Sequence, residues 1–269
     1  MLGKYKNQHI MQINHLFKLF LFSFFLTINQ GVYSNNEHPD VFEVEKDSLV
    51  GDKLDYTSWK ELLSANVDEK GDVNYQGFIA NKEKFNTFLE LLSSTKITSD
   101  WTTNDKIAYW INVYNAFTIK LILDNYPTKS IKDISGPWKQ KFIKINGEEL
   151  SLGEVEHEIL RKQFNEPRIH FAINCASASC PPVLNEPYLA GNLNALLEQQ
   201  TKNFINNQKY NKIASNKIEL SKIFDWYRKD FEKNGNNSVV DFINKYSTTK
   251  ISSKARRSFL PYDWNLNGK

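Results

Sequence analysis

Residues 104–126 read NDKIAYWINVYNAFTIKLILDNY, and this stretch decides the fold. Ile107, Trp110, Ile111, Tyr114, Phe117, Leu121 and Ile122 recur at i, i+3, i+4 and i+7, the spacing that lines one face of an α-helix. Asn104 suits the N-cap, and Pro127 stops the run because the residue before a proline is biased away from the helical region. Asn115 falls one turn after Ile111 and one turn before Ile119, at the edge of the apolar face. Two readings are open for it. It is a helix amide that satisfies a neighbouring backbone group, or it is a polar member of a site.

The flanking sequence alternates short helical and short extended patterns. Residues 56–66 and 81–94 carry helical spacing, the second with Phe85, Phe88, Leu89 and Leu92 on one stripe. Gly71 to Tyr75 reads as a turn with a short extended piece. Phe142 to Leu150 reads as a hairpin, since Asn146-Gly147 supplies the two positive φ angles of a type I′ turn. Ser151 and Glu154 form a capping box for a helix that runs to about Phe164. Arg168 to Asn174 (RIHFAIN) is a short apolar run after a proline and predicts a buried strand. Helices are predicted over 192–206, from Ser221 through Phe231, and over 239–246, with a second hairpin over 212–220. No repeat or low-complexity linker divides residues 54–269, so one α+β domain is expected, with many helices around a small, mostly antiparallel sheet.

The N-terminus has a different character. Residues 1–12 are polar and basic, and Leu16 to Ile28 is almost wholly apolar apart from Lys18. That is the plan of a secretory signal peptide, with cleavage expected after Ser34 and a loose lead-in over 35–53. The apolar stretch is shorter than the ~20 residues of a spanning helix. No stable membrane span is expected after cleavage, and the localisation expected is periplasmic or secreted. The net charge is +3, but residues 1–34 carry Lys4, Lys6 and Lys18 and no acid. Setting those three aside from the 34 basic residues leaves the remainder balanced against 31 acidic ones. Without a basic stripe a nucleic-acid partner is not expected.

The 269 residues contain two cysteines and five histidines, so few reactive constellations can be built. Cys175 and Cys180 lie in NCASASCPP, where small residues would let a carbonyl oxygen approach the backbone N–H groups of Ala176 to Ser179. Cys180 precedes two prolines, which offer no N–H, so Cys175 is the better nucleophile. A thiol needs a histidine or a helix N-terminus to ionise near neutrality. On an extended strand His170 would lie about 16 Å from Cys175 and face the other way, at ~3.3 Å per residue. His157, on the capped helix, is free to approach. Its orienting partner stays open among Glu154, Glu156 and Asn115. The competing reading is a Cys175–Cys180 disulfide, the common fate of two cysteines in an exported chain. His157-Glu158 does not continue into a zinc helix, because Arg161 stands where the second histidine belongs. Phosphate-cradling glycine loops are missing too, so neither metal nor cofactor is expected.

Several motifs together carry a resemblance. They are YWINVYNA at 109–116, LSLGEVEH at 150–157, IHFAINCAS at 169–177 with SCPP at 179–182, SKIFDWY at 221–227 and YDWNLN at 262–267. In this order they resemble the family named domain of unknown function 547, over about residues 54–267. The family occurs in bacterial exported proteins and in plant proteins behind a coiled-coil region. The resemblance places the family's Glu-His segment on Glu156-His157 and its Phe-Ala-x-x-Cys segment on Phe171 to Cys175. It implies, by inference, a papain-like or transglutaminase-like thiol site. The function expected is a cysteine-dependent hydrolase or acyltransferase acting on an amide or ester through Cys175, His157 and Glu156 or Asn115. The alternative is a non-catalytic binding or scaffold module stapled by the disulfide.

Overall fold

The computed structural model describes residues 52–268; the expected signal peptide and residues 35–51 of the lead-in lie outside that range. Helix α1 spans Thr57–Asn66, α2 Tyr75–Ala80, α3 Lys82–Ser94 and α4 Thr103–Asp124. The α4 cap is Thr102 rather than Asn104. Its hydroxyl accepts the Asp105 N–H at 3.1 Å while the Asp105 carboxylate accepts the Thr102 N–H at 2.7 Å. That reciprocal box satisfies two N-terminal donors at once, which a lone asparagine does not. Every residue from Ile107 to Ile119 is buried, so α4 is enclosed on all sides and not only along its apolar stripe. Trp59 of α1 stacks on Phe88 of α3 with ring centroids 4.9 Å apart and donates its indole N–H to Asn112 of α4 at 3.2 Å.

Strands β1 (Ile143–Ile145) and β2 (Glu148–Leu150) form the first hairpin, with Asn146 and Gly147 at φ 51° and 85°. The helical run that follows starts in the Ser151–Glu154 box. It consists of α5 (Leu152–Glu154), a π-helical turn over Val155–Leu160 and α6 (Arg161–Gln163). Gly153 has no room for a side chain, since a Cβ there would stand 2.7 Å from the Trp138 carbonyl oxygen. That close approach sets Trp138 beside the helical run.

The predicted strand over 168–174 is not formed. Pro167–Phe171 is a 3₁₀ helix, and a loop continues to Cys175. Pro167 occupies its first turn, and the Glu166 carboxylate accepts the Arg168 N–H at 3.0 Å, so a start signal at Glu166-Pro167 overrides the apolar pattern. The segment joins two cores: Ile169, Ala172 and Ile173 belong to the core around α4, while Phe171 belongs to a second one.

That second core is built by α7 (Leu193–Asn206), β3 (Lys212–Ala214), β4 (Lys217–Leu220), α8 (Ile223–Trp226), α9 (Arg228–Phe231), α10 (Val239–Tyr246) and β5 (Arg256–Phe259). The helix expected from Ser221 to Phe231 is broken into α8 and α9 at Tyr227. The class is α+β, but among the described residues there are two small sheets rather than one. β1–β2 stand alone, and β3–β4 are antiparallel with β5 added in parallel to β4. β5 reads RRSF and is mostly exposed, so no alternation announces it. Among the described residues no helix is long and apolar enough to cross a membrane.

Phe171 is fully buried against Phe204, Phe224 and Phe231 at centroid distances of 5.2, 5.8 and 5.8 Å. Phe171→Ala should lower the urea unfolding free energy by about 3–5 kcal/mol, the usual cost of emptying an aromatic core site. A loss under about 1 kcal/mol would show that the two cores are not stitched together there.

Candidate active site

Cys175 sits in a loop whose backbone is held from three directions. Asn115 of α4 donates to the Ala172 carbonyl and accepts from the Asn174 N–H, both at 2.9 Å. Asn174 then donates to the Pro181 carbonyl at 2.7 Å, while its oxygen accepts from the Ala176 N–H at 2.7 Å and from the Asn267 amide at 3.2 Å. Asn267 is fixed in turn by the Tyr75 hydroxyl at 2.7 Å. Ala176 adopts φ 58°, a left-handed conformation that residues with a Cβ rarely take. The final segment closes the loop from outside. The Ala178 N–H donates to the Asn265 carbonyl at 2.8 Å, and the Ser179 N–H to that of Asp263 at 3.3 Å.

These bonds correct one expectation. The N–H groups of Ala176, Ala178 and Ser179 already have acceptors in the fold, so they do not form a free cradle for an oxyanion. The Cys175 N–H is also committed; it donates to the Cys180 sulfur at 3.1 Å. The Ser177 N–H is the amide of this run that none of these bonds engages.

Both cysteines are free thiols. They line a cavity of about 250 Å³ together with Glu156, His157, His170 and the hydroxyl-bearing rings of Tyr114, Tyr227 and Tyr262. The Tyr262 hydroxyl lies 3.2 Å from the Cys180 sulfur and 3.8 Å from that of Cys175. Burial opposes a thiolate on Cys180. Donation from the Cys175 side chain, the Tyr262 hydroxyl and the backbone of Cys175 and Ser177 outweighs it and brings Cys180 down to about 7. The hydrogen bond to Cys180 pushes the Cys175 thiol up, and burial adds to it. The pair thus loses its first proton near neutrality and holds the second.

His170 is the buried base of the cavity. Its Nε2 lies 2.9 Å from Asp230 Oδ2, which also accepts from Arg161 Nε at 2.6 Å. Burial disfavours the Asp230 carboxylate, but His170 and Arg161 hold it well below the usual carboxylate range. An ionised Asp230 only accepts, so Nε2 carries the ring hydrogen and Nδ1 keeps its lone pair. That Nδ1 is buried with no partner. Burial pushes His170 down and the bond to Asp230 pulls the other way, with burial ahead, so the ring is neutral at pH 7. Tyr227 stacks on it at 4.0 Å between centroids.

The residues singled out by sequence are divided by the structure. Cys175, His157 and Glu156 do line one cavity. His157 Nδ1 is 3.7 Å from Glu156 Oε1 but is taken by Arg161 Nη1 at 3.0 Å, and the His157 side chain is 47% exposed. Glu154 is committed to the capping box and to Lys141. Asn115 bonds backbone and orients no imidazole, so the plainer of its two readings holds. The strand that would hold His170 away from Cys175 is not formed, and the 3₁₀ turn sets His170 in the same cavity. Asp230 gave no pattern signal. Tyr262 and Tyr227 lay inside quoted motifs, which was the available clue to them.

Residues 98–205 match the family model described as "Protein of unknown function, DUF547". The match runs from just before α4 almost to the end of α7. It includes Cys175, Cys180, Glu156, His157 and His170, and it ends before Asp230 and Tyr262. No curated protein and no solved structure matches the chain.

Two measurements probe this geometry. Thiolate absorbance followed against pH should show one cysteine ionising near 7. Cys180→Ser should abolish that step, and Tyr262→Phe should move it to higher pH. Because the Cys180 value is depressed by folding, its contribution to stability is complete above the ordinary thiol value of 9.0. It is lost as pH falls through about 7. Asn115→Ala strands the Ala172 carbonyl and the Asn174 N–H, and should cost about 1–3 kcal/mol in urea unfolding.

Proposed function

We propose that this chain, which through residues 98–205 belongs to the DUF547 family, is a thiol-dependent hydrolase or acyltransferase acting on an amide or ester carbonyl. One observation carries the reading. A neutral histidine, oriented through Nε2 by a buried carboxylate and bare at Nδ1, shares a cavity with a thiol pair poised near neutrality.

Cys175, the more accessible thiol, is the nucleophile. His170 Nδ1 takes the proton of the thiol pair, and Asp230 stabilises the imidazolium that forms. The Cys175 sulfur bonds to the carbonyl carbon, and the carbonyl π pair moves onto oxygen. Tyr114, Tyr227 and Tyr262 supply the hydroxyl donors on the cavity wall, in place of the committed loop amides. Collapse expels the leaving amine or alcohol, which takes the proton from His170. Water, or a second acceptor, then cleaves the thioester and regenerates Cys175. His157 stands at the cavity mouth, tied to Arg161. The basic, then apolar, N-terminal sequence supports export as the setting.

The test is turnover of a panel of p-nitrophenyl esters and thioesters, with mapping of the acylated residue. Acyl label on Cys175 is expected. Cys175→Ala should abolish turnover, and His170→Asn should lower it by about 10²–10⁴-fold, the range of a general base. Cys180→Ala should keep measurable turnover. Full activity in Cys175→Ala, or equal losses for both cysteine variants, would overturn the reading. A protein with neither turnover nor label would favour the non-catalytic binding module instead.

A further inference from the structure

We infer that the cavity receives a protonated primary amine, seated against the free oxygen of Glu156. This deepens the thiol-site reading by naming the charged end of the ligand, and it rests on that reading only for the word substrate.

Two acceptors in this cavity lack donors. Glu156 Oε1 and His170 Nδ1 are both buried with no hydrogen-bond partner, and their side chains are 5% and 1% exposed. Both residues line the cavity. A buried carboxylate without a matching cation is costly, so a group that supplies positive charge and several donors is what the site lacks. The other oxygen of Glu156 accepts only a 3.3 Å bond from the Tyr114 hydroxyl. The Tyr227 hydroxyl also approaches the carboxylate.

The neighbouring cations are already committed, and His157 Nδ1, 3.7 Å from Glu156 Oε1, is taken by Arg161. Arg161 gives Nε to Asp230 at 2.6 Å and Nη1 to His157 at 3.0 Å, and lays its guanidinium 4.9 Å from the Tyr227 ring centroid. Lys233 pairs with the other Asp230 oxygen at 3.3 Å. Neither donates to Glu156. A compact ammonium with three donors can give one hydrogen to Glu156 Oε1 and others to neighbouring hydroxyls without the planar fit that a guanidinium needs.

The wall suits the same ligand. Trp226, Tyr262 and Trp264 pack on one another at centroid distances of 4.6 to 5.8 Å, and all three line the cavity. Trp226 is 47% exposed, so this aromatic rim opens outward. Aromatic faces attract an ammonium and pack the alkyl stem that bears it.

The experiment is calorimetric titration of the full chain with n-butylammonium chloride, against n-butanol as the neutral isostere. Butylammonium should bind at least about tenfold more tightly than butanol, as a charge-assisted hydrogen bond requires. Glu156→Gln, which keeps shape and removes charge, should erase that preference. Cys175→Ala should retain it, so loss of ester turnover and loss of amine binding are separable failures. Equal binding of the two probes by the wild-type chain overturns the inference and needs no variant. It would mean that water alone satisfies the two acceptors. A butylammonium preference that survives Glu156→Gln overturns the assignment as well.

Discussion

Asn115 holds the two sides of one turn. Its amide gives a hydrogen to the Ala172 carbonyl and receives one from the Asn174 N–H, which fixes where the chain leaves the 3₁₀ helix. Asn174 then repeats the device one step on, closing the loop across Pro181, Ala176 and Asn267. The left-handed Ala176 is tolerable only inside such a cage. The orientation of both thiols follows from it, because the Cys175 N–H faces the Cys180 sulfur only when the turn is held in this form.

The cavity is organised by unequal sharing of charge. Two buried or half-buried carboxylates, Glu156 and Asp230, stand near one guanidinium, that of Arg161. Asp230 receives Arg161 and His170 and is fully compensated. Glu156 receives a phenol. That asymmetry separates the roles of the two acids: one is a structural anion that orients an imidazole, and the other stays unneutralised by a hydrogen-bonded cation. The segment around Asp263 and Asn265 takes up the Ala178 and Ser179 amides in the same way.

Much of the scaffold was legible in the residues. The 3.6-residue spacing of α4, Asn146-Gly147 in the hairpin and the Ser151/Glu154 box each encode their structure locally, and each formed. What failed was a choice between two local signals. RIHFAIN carries a strand-like apolar run, but Glu166-Pro167 ahead of it starts a helix, and the start signal won. A strand there would turn His170 away, whereas the 3₁₀ turn sets it in the cavity that Cys175, His157 and Glu156 also line. Asp230 was illegible for a different reason, and Tyr262 was marked only by its motif. They stand 60 and 87 residues from His170 and Cys175, and only long-range packing brings them there.

The loop around the thiols is completed by the final residues of this sequence: the Tyr262 hydroxyl, the carbonyls of Asp263 and Asn265, and the side chain of Asn267. A growing chain exposes Cys175 and Cys180 more than 80 residues before these partners exist. During that interval the Ala178 and Ser179 N–H groups lack the carbonyl acceptors they have in the folded chain, while the bonds of Asn115, and those of Asn174 to Ala176 and Pro181, have all their partners. The turn that carries the thiols thus has its inner hydrogen-bond partners before its outer cover of Tyr262, Asp263 and Asn265 is added, and Tyr262, Trp264 and Leu266 complete the packing of both cores in the same step.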